Sequence, residues 1–219
     1  AIPKEMLPVG RKPVLEHVIE ELRNCNIEQV LMVISPRKDM IKTYFGDGQR
    51  WGIKIDYVVQ PVMAGLGDAI LQGQSWVGSD SFVVAFGDCL IESAKAMALQ
   101  RVIDTYHSYG PSAVCLTEEV DDESVSKYGI IDPVALRSQN DFKLLIHEVK
   151  RIVEKPTIVD APSRLAVSAR WALHPEIFQA LGDCPKSSGK ELGLTEGIQT
   201  LLRSSKRVMA VQLSKDERR

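Results

Sequence analysis

The stretch VLEHVIEELRN, from Val14 to Asn24, and the run VLMVIS, from Val30 to Ser35, together set the architecture. In the first, Val14, Leu15, Val18, Ile19 and Leu22 fall on one stripe of a 3.6-residue period. Glu16, Glu20, Glu21 and Arg23 fill the other face, which predicts a helix of about three turns with those charges in solvent. The second is an unbroken apolar run of strand length, the pattern of a strand covered on both faces by helices. Lys38 to Phe45 reads as another helix and Gly46, Asp47 and Gly48 as a turn, after which Ile53, Ile55, Tyr57 and Val59 alternate as a further strand. Helix, strand, helix, strand is the rhythm of a parallel α/β sheet.

Working outward, the rhythm continues with a helix over Asp68 to Trp76, a strand over Phe82 to Phe86, a helix from about Lys95 to His107 and a strand over Ser112 to Leu116. After Val125 the pattern shortens. Alternation around Ile130, over Phe142 to Ile146 and Val149 to Val153, and then through LAVSARWAL (Leu165 to Leu173), predicts antiparallel additions. Helices over Pro175 to Leu181 and Leu194 to Arg203 and a strand over Val208 to Leu213 follow. The expected fold is an α/β, Rossmann-like doubly wound mixed sheet with helices on both faces. In a βαβ series a helix is fed by a strand, and none precedes Val14, so the order implies a missing first strand.

The 219 residues, 44% hydrophobic and 26% charged, are enough for one globular domain spanning 1–219. A net charge of −2 without a basic stripe argues against a nucleic-acid partner. Cys25, Cys89, Cys115 and Cys184 form no C-x-x-C pair and read as small buried residues of a reduced chain, not a zinc site. His17, His107, His147 and His174 lack metal-ligand spacing. No apolar run approaches the roughly 18 residues that cross a bilayer, and AIPKEMLPVG has no signal-peptide core. A cytoplasmic protein without a membrane partner is expected.

Ligands of doubly wound sheets bind beyond the carboxyl ends of strands, which directs attention to the loops after Val59, Phe86 and Val153. In QPVMAGLGDAI, Gln60 offers a paired donor and acceptor to a base edge, and Gly65 and Gly67 permit close backbone approach; the same residues equally make a plain glycine turn before a helix. In FGDCLI, Asp88 stands where it either binds a hard cation such as Mg²⁺ or caps the next helix. In VEKP, Glu154 can accept from sugar hydroxyls and Lys155 can pair with a phosphate, or the two form an ordinary surface pair. Lys4 alone is an ordinary surface lysine.

PKEMLPVGRKPVLEHVIEEL, QPVMAGLGDAIL, VVAFGDCLI, KYGIID, VEKP, APSRLAVSARWAL and GKELGLTEGI, in that order from Pro3 to Ile198, resemble the sugar-nucleotide pyrophosphorylases. IPKEMLPV, GLGDAIL and the LAV-x-x-R block most resemble the bacterial UTP-glucose-1-phosphate uridylyltransferases within that family. The resemblance implies a glycosyltransferase-A-like nucleotidyltransferase fold in which residues 1–116 mainly bind nucleotide and 117–219 mainly bind sugar. It implies transfer of a uridylyl group from UTP to a sugar 1-phosphate, glucose 1-phosphate above all, with Mg²⁺ as cofactor and a possible homo-oligomer. Lys4 would neutralise phosphate charge and Lys155 would bind the sugar phosphate, as the catalytic pair. Gln60 and Gly65 would hold the base, Asp88 the metal, and Gly129, Glu154 and Val167 the sugar, with Glu191 and Glu196 bordering it. It also implies a G-x-G-T-R loop ahead of Lys4 and a second metal aspartate beyond the last strand; neither occurs between Ala1 and Arg219. Cys89 and Arg164 stand where relatives often have Asn. Two other readings follow: a non-catalytic sugar-phosphate-binding or regulatory module, and the same chemistry with dTTP or another NTP.

Overall fold

The computed structural model describes residues 2–94, 97–136, 145–185 and 191–219. After a 3-10 turn at Lys4–Met6, the short strands β1 (Pro8–Val9) and β2 (Lys12–Pro13) pair as a hairpin and deliver the chain into α1 (Val14–Asn24). Val14, Leu15, Val18, Ile19 and Leu22 are buried, as their spacing predicts. Glu16 and Glu21, expected in solvent, are buried as well. Each has a partner that the helical period cannot show: Glu16 accepts a hydrogen bond from the Tyr44 hydroxyl at 2.5 Å, and Glu21 pairs with Arg170.

Strand β3 (Gln29–Ile34), helix α2 (Asp39–Phe45) and strand β4 (Lys54–Val59) follow, with β3 and β4 parallel and in register from Gln29 opposite Lys54 to Ile34 opposite Val59. The helix expected over Asp68 to Trp76 is two helices, α3 (Leu66–Leu71) and α4 (Gln74–Val77), interrupted at Gly73, the poorest helix former of the segment. Then come β5 (Phe82–Ala85), α5 (Met97–Tyr109), β6 (Ala113–Glu119), β7 (Gly129–Ala135), β8 (Ile146–Glu154), β9 (Leu165–Leu173), α6 (Glu176–Gly182), α7 (Leu194–Arg203) and β10 (Val208–Gln212). Most of the strand expected at Phe142 to Ile146, residues 142–144, lies outside the described residues, as does the start of the helix expected from Lys95.

Six strands form the main sheet in the order β5-β9-β6-β10-β8-β7. Both faces are covered. On β6 and β10, Ala113, Cys115, Val208 and Ala210 pack with α3, α6 and α7 on one side. Val114, Leu116, Met209 and Val211 pack with Ala98 and Val102 of α5 on the other. This explains why these strands read as continuous apolar runs. Strand β9 is no peripheral addition: it lies between β5 and β6, antiparallel to both. Only β10 runs parallel to a neighbour in this sheet, β6.

The pair β3–β4 is a separate sheet. Between β3 and β5 lies a cavity of about 1040 Å³, lined by residues 29–34 of one strand and 82–86 around the other, and by residues of α1 and α3. The interruption in the sheet thus stands beside α1, the helix for which the sequence predicts a feeding strand. No disulfide joins the four cysteines, of which Cys25, Cys115 and Cys184 are buried. Burial pushes the Cys25 thiol up to about 11 and Cys115 up to about 12, so both stay protonated at neutral pH. No helix among the described residues is long and apolar enough to cross a membrane.

Candidate active site

Gln60 directly follows β4, and its backbone N–H donates to the Ile34 carbonyl at 2.8 Å, extending the β3–β4 ladder by one bond. Its side chain is buried and donates from Nε2 to the Gly65 carbonyl at 3.1 Å and to Asp68 Oδ2 at 2.7 Å. Gly65 has φ of +106°, and a Cβ there would stand 2.4 Å from the Leu192 carbonyl oxygen. Only glycine fits, for conformational and steric reasons together. Gln60 and Gly65 both line the cavity beside β3 and β5.

Asp88 lies in the turn after β5, and Lys4 in the first turn of the chain reaches it, with Nζ 2.5 Å from Asp88 Oδ2. Their side chains are about two-thirds and one-third exposed respectively, so both face the opening. The hydrogen bond with Asp88 raises the Lys4 pKa; burial opposes this, and attraction to Asp88 and Glu5 adds to it. Among the described residues no backbone N–H of a helix donates to Asp88, and near the start of α5 the Ser93 Oγ accepts from the Ala98 N–H at 3.0 Å. Burial pushes the neighbouring Cys89 thiol up, which leaves it a thiol and not a thiolate.

A second cavity, of about 1000 Å³, collects Gly129, Glu154, Lys155, Val167, Glu191 and Glu196. The antiparallel register sets Gly129 opposite Glu154, and a Cβ on Gly129 would meet Glu154 Oε2 at 3.2 Å. Lys155, just past β8, is exposed and adopts φ of +47° while its N–H donates to the Tyr128 carbonyl at 3.0 Å. A lysine held in the left-handed region costs about 1–2 kcal/mol relative to glycine, and such backbone strain concentrates at functional sites. The two cavities adjoin, sharing Gly65, Asp88 and Glu191 in their walls. The expected site residues, dispersed from Lys4 to Glu191 in sequence, therefore line one continuous concavity, with the Lys4–Asp88 pair near the junction.

Three further residues support this wall; each lies within one of the quoted motifs, none with a role assigned to it from the sequence. Thr195, in the first turn of α7, donates from Oγ1 to Glu154 Oε2 at 2.8 Å. Asp68 anchors Gln60. Arg170 donates from Nη2 to the Cys89 carbonyl at 3.0 Å, next to Asp88. Arg170 alone could have been suspected, as a charge inside the apolar run LAVSARWAL that requires a buried partner.

A family model described as nucleotidyl transferase matches residues 1–216. The chain belongs to the nucleotidyl transferase family. Its relatives include the UTP–glucose-1-phosphate uridylyltransferase 2 of Staphylococcus saprophyticus, 32% identical over 225 residues, which span 93% of this chain and 75% of that protein. Among solved structures, a UDP-glucose pyrophosphorylase complexed with UDP-glucose superposes with a TM-score of 0.86 at 32% identity, covering 97% of this nucleotidyl transferase and 83% of the other chain. A UTP-bound enzyme of that kind from Acinetobacter baumannii gives a TM-score of 0.79 at 29% identity, covering 99% and 80%. The fold-level resemblance in the sequence motifs is thus matched by the tertiary structure.

Proposed function

We propose that this nucleotidyl transferase moves a uridylyl group from UTP to a sugar 1-phosphate, with glucose 1-phosphate as the acceptor, giving the UDP-sugar and pyrophosphate. The observation that carries the reading is the pair of adjoining cavities, one bordered by Gln60 and Gly65 and the other by Glu154 and Lys155, with Asp88 in the wall of both. In the reaction a phosphate oxygen of the sugar phosphate forms a bond to the α-phosphorus of UTP while the bond to the bridging oxygen of pyrophosphate breaks. No proton need be abstracted from the attacking phosphate dianion. What opposes the step is the approach of two polyanions, so the protein acts by alignment and by charge compensation.

Lys155 holds the acceptor phosphate and Lys4 offsets charge on the triphosphate side, each as a compact cation with flexible reach. Glu154, held by Thr195, accepts from sugar hydroxyls, and Gly129 opposite it leaves room for the ring. Val167 packs against the sugar, and Glu191 borders both substrates. Gln60 and Gly65 receive the base.

Asp88 fits a Mg²⁺ ion by the chemistry of its donor set. Its Oδ1 has no partner among the described residues, and one carboxylate joined by substrate phosphates is a usual Mg²⁺ environment. When bound, the ion spreads the charge of the phosphates and of the departing pyrophosphate.

The test is pyrophosphate release from UTP with glucose 1-phosphate and MgCl₂, measured with each component omitted in turn. Release that depends on all three supports the reading. Binding of glucose 1-phosphate by calorimetry without release from any NTP would replace it with a non-catalytic sugar-phosphate-binding module.

A further inference from the structure

Gln60 is a buried side chain of the nucleotide-side cavity whose hydrogen-bonding polarity is decided by its neighbours. Both partners of its Nε2, the Gly65 carbonyl and Asp68 Oδ2, are acceptors, so the NH₂ end of the amide must face them. Both amide protons are thereby used. The oxygen end has no partner among the described residues, and Gln60 lines the cavity. Asp68 does not line that cavity; it acts from behind, in the first turn of α3. Were the amide turned over, its oxygen would point at a carboxylate oxygen, an arrangement that forfeits a charge-assisted hydrogen bond and adds repulsion.

We propose that Asp68 is the positioning residue that sets base preference: by holding the Gln60 nitrogen it makes the pocket present an acceptor, and so favours bases with a ring N–H on the edge that Gln60 meets. Uracil and thymine carry such an imide N–H. Cytosine has a bare ring nitrogen at that place, an acceptor facing an acceptor. The inference rests on the assignment of Gln60 to the base in the proposed function and deepens it from a nucleotide to an imide-bearing one.

The experiment compares binding of UTP, dTTP and CTP to the full chain by calorimetry, for the wild type, Asp68→Asn and Asp68→Ala. The wild type should bind UTP and dTTP about 10- to 100-fold tighter than CTP, the scale of one buried polar group left unmatched. Asn at 68 offers both a donor and an acceptor end, and Ala offers neither, so in either variant only the neutral Gly65 carbonyl still holds the Gln60 nitrogen and the amide turns more readily. The UTP-to-CTP ratio should then fall to about threefold or less, partly through a gain for CTP. A residue that only supports the fold would weaken every nucleotide alike and leave the ratio in place. An unchanged ratio in both folded variants, or no preference in the wild type, overturns the proposal. The function reading fails separately: a ratio that collapses in the variants while the wild type releases no pyrophosphate leaves Asp68 in its role and removes the enzyme, and turnover with an unchanged ratio does the reverse.

Discussion

Arg170 of β9 and Glu21 of α1 form a buried, charge-assisted contact, in which Nε and Nη2 of the guanidinium donate to the same carboxylate oxygen at 3.0 and 2.6 Å. Arg170 is wholly buried, and Nη1 and Nη2 donate to the Ala169 and Cys89 carbonyls, each at 3.0 Å. One side chain thus ties the first helix, an interior strand of the main sheet and the turn that carries Asp88.

Removing one member of such a pair leaves the other charge buried without compensation. Arg170→Met is expected to lower stability by about 3–5 kcal/mol in urea unfolding, and Arg170→Lys by less, since an ammonium keeps the charge but cannot span all three acceptors. Adding Glu21→Gln to Arg170→Met should recover part of the loss. Purely additive losses in the double variant would show that the two groups do not interact.

Lys155 is exposed and has no ion-pair partner among the described residues, so its removal should affect chemistry and not folding. Lys155→Ala is expected to lower turnover about 10²-fold or more at unchanged melting temperature. Lys155→Gly should be equally slow yet more stable than the alanine variant by about 1 kcal/mol, because φ of +47° suits glycine. Wild-type kinetics in either variant would remove Lys155 from the site.

Asp88→Asn keeps the shape of the side chain and removes its charge. The Mg²⁺ concentration giving half-maximal pyrophosphate release should rise by about 10- to 100-fold, with Lys4→Ala altering turnover more than the Mg²⁺ requirement. Superimposable Mg²⁺ titrations of wild type and Asp88→Asn would place the metal elsewhere.

Glu217 connects the end of the chain to α5. Burial alone would raise its pKa, yet hydrogen bonds from Arg101, the Ser214 N–H and Ser93, with the charge of Arg101, bring it down to about 2. Its folded value lies below the roughly 4.3 of an unfolded chain, so its stabilisation is complete above that pH and is lost as pH falls from there to about 2. Discounted for solvent screening, the contribution is about 1–2 kcal/mol. Glu217→Gln should therefore be less stable than wild type at pH 7, with the difference shrinking below pH 4.3. A gap that stays constant down to pH 2.5 would contradict the assignment.

Much of the fold was legible because burial leaves a period in the sequence. Val14 to Leu22, VLMVIS and the run from Val208 to Val211 disclose which faces are covered, and the loops after Val59, Phe86 and Val153 follow from strand ends. The polar partners were not legible. Glu16 and Glu21 occupy positions that the helical period assigns to water, and only the arrival of Tyr44 and Arg170 from distant segments makes their burial tolerable. Likewise nothing local to Asp88 announces that Lys4 comes to meet it.

The sequence by itself determined most of the elements, their apolar faces, the family and the short motifs, because each rests on neighbours within a few turns of chain. Tertiary structure alone decided that β9 enters between β5 and β6, that Lys4 meets Asp88, that Asp68 orients Gln60 and that Lys155 takes a left-handed backbone. The physical reason is that an apolar face specifies burial but not its partner, since many pairings remove similar area from water. Hydrogen bonds and ion pairs between distant residues discriminate among those pairings, and they exist only once the chain has closed.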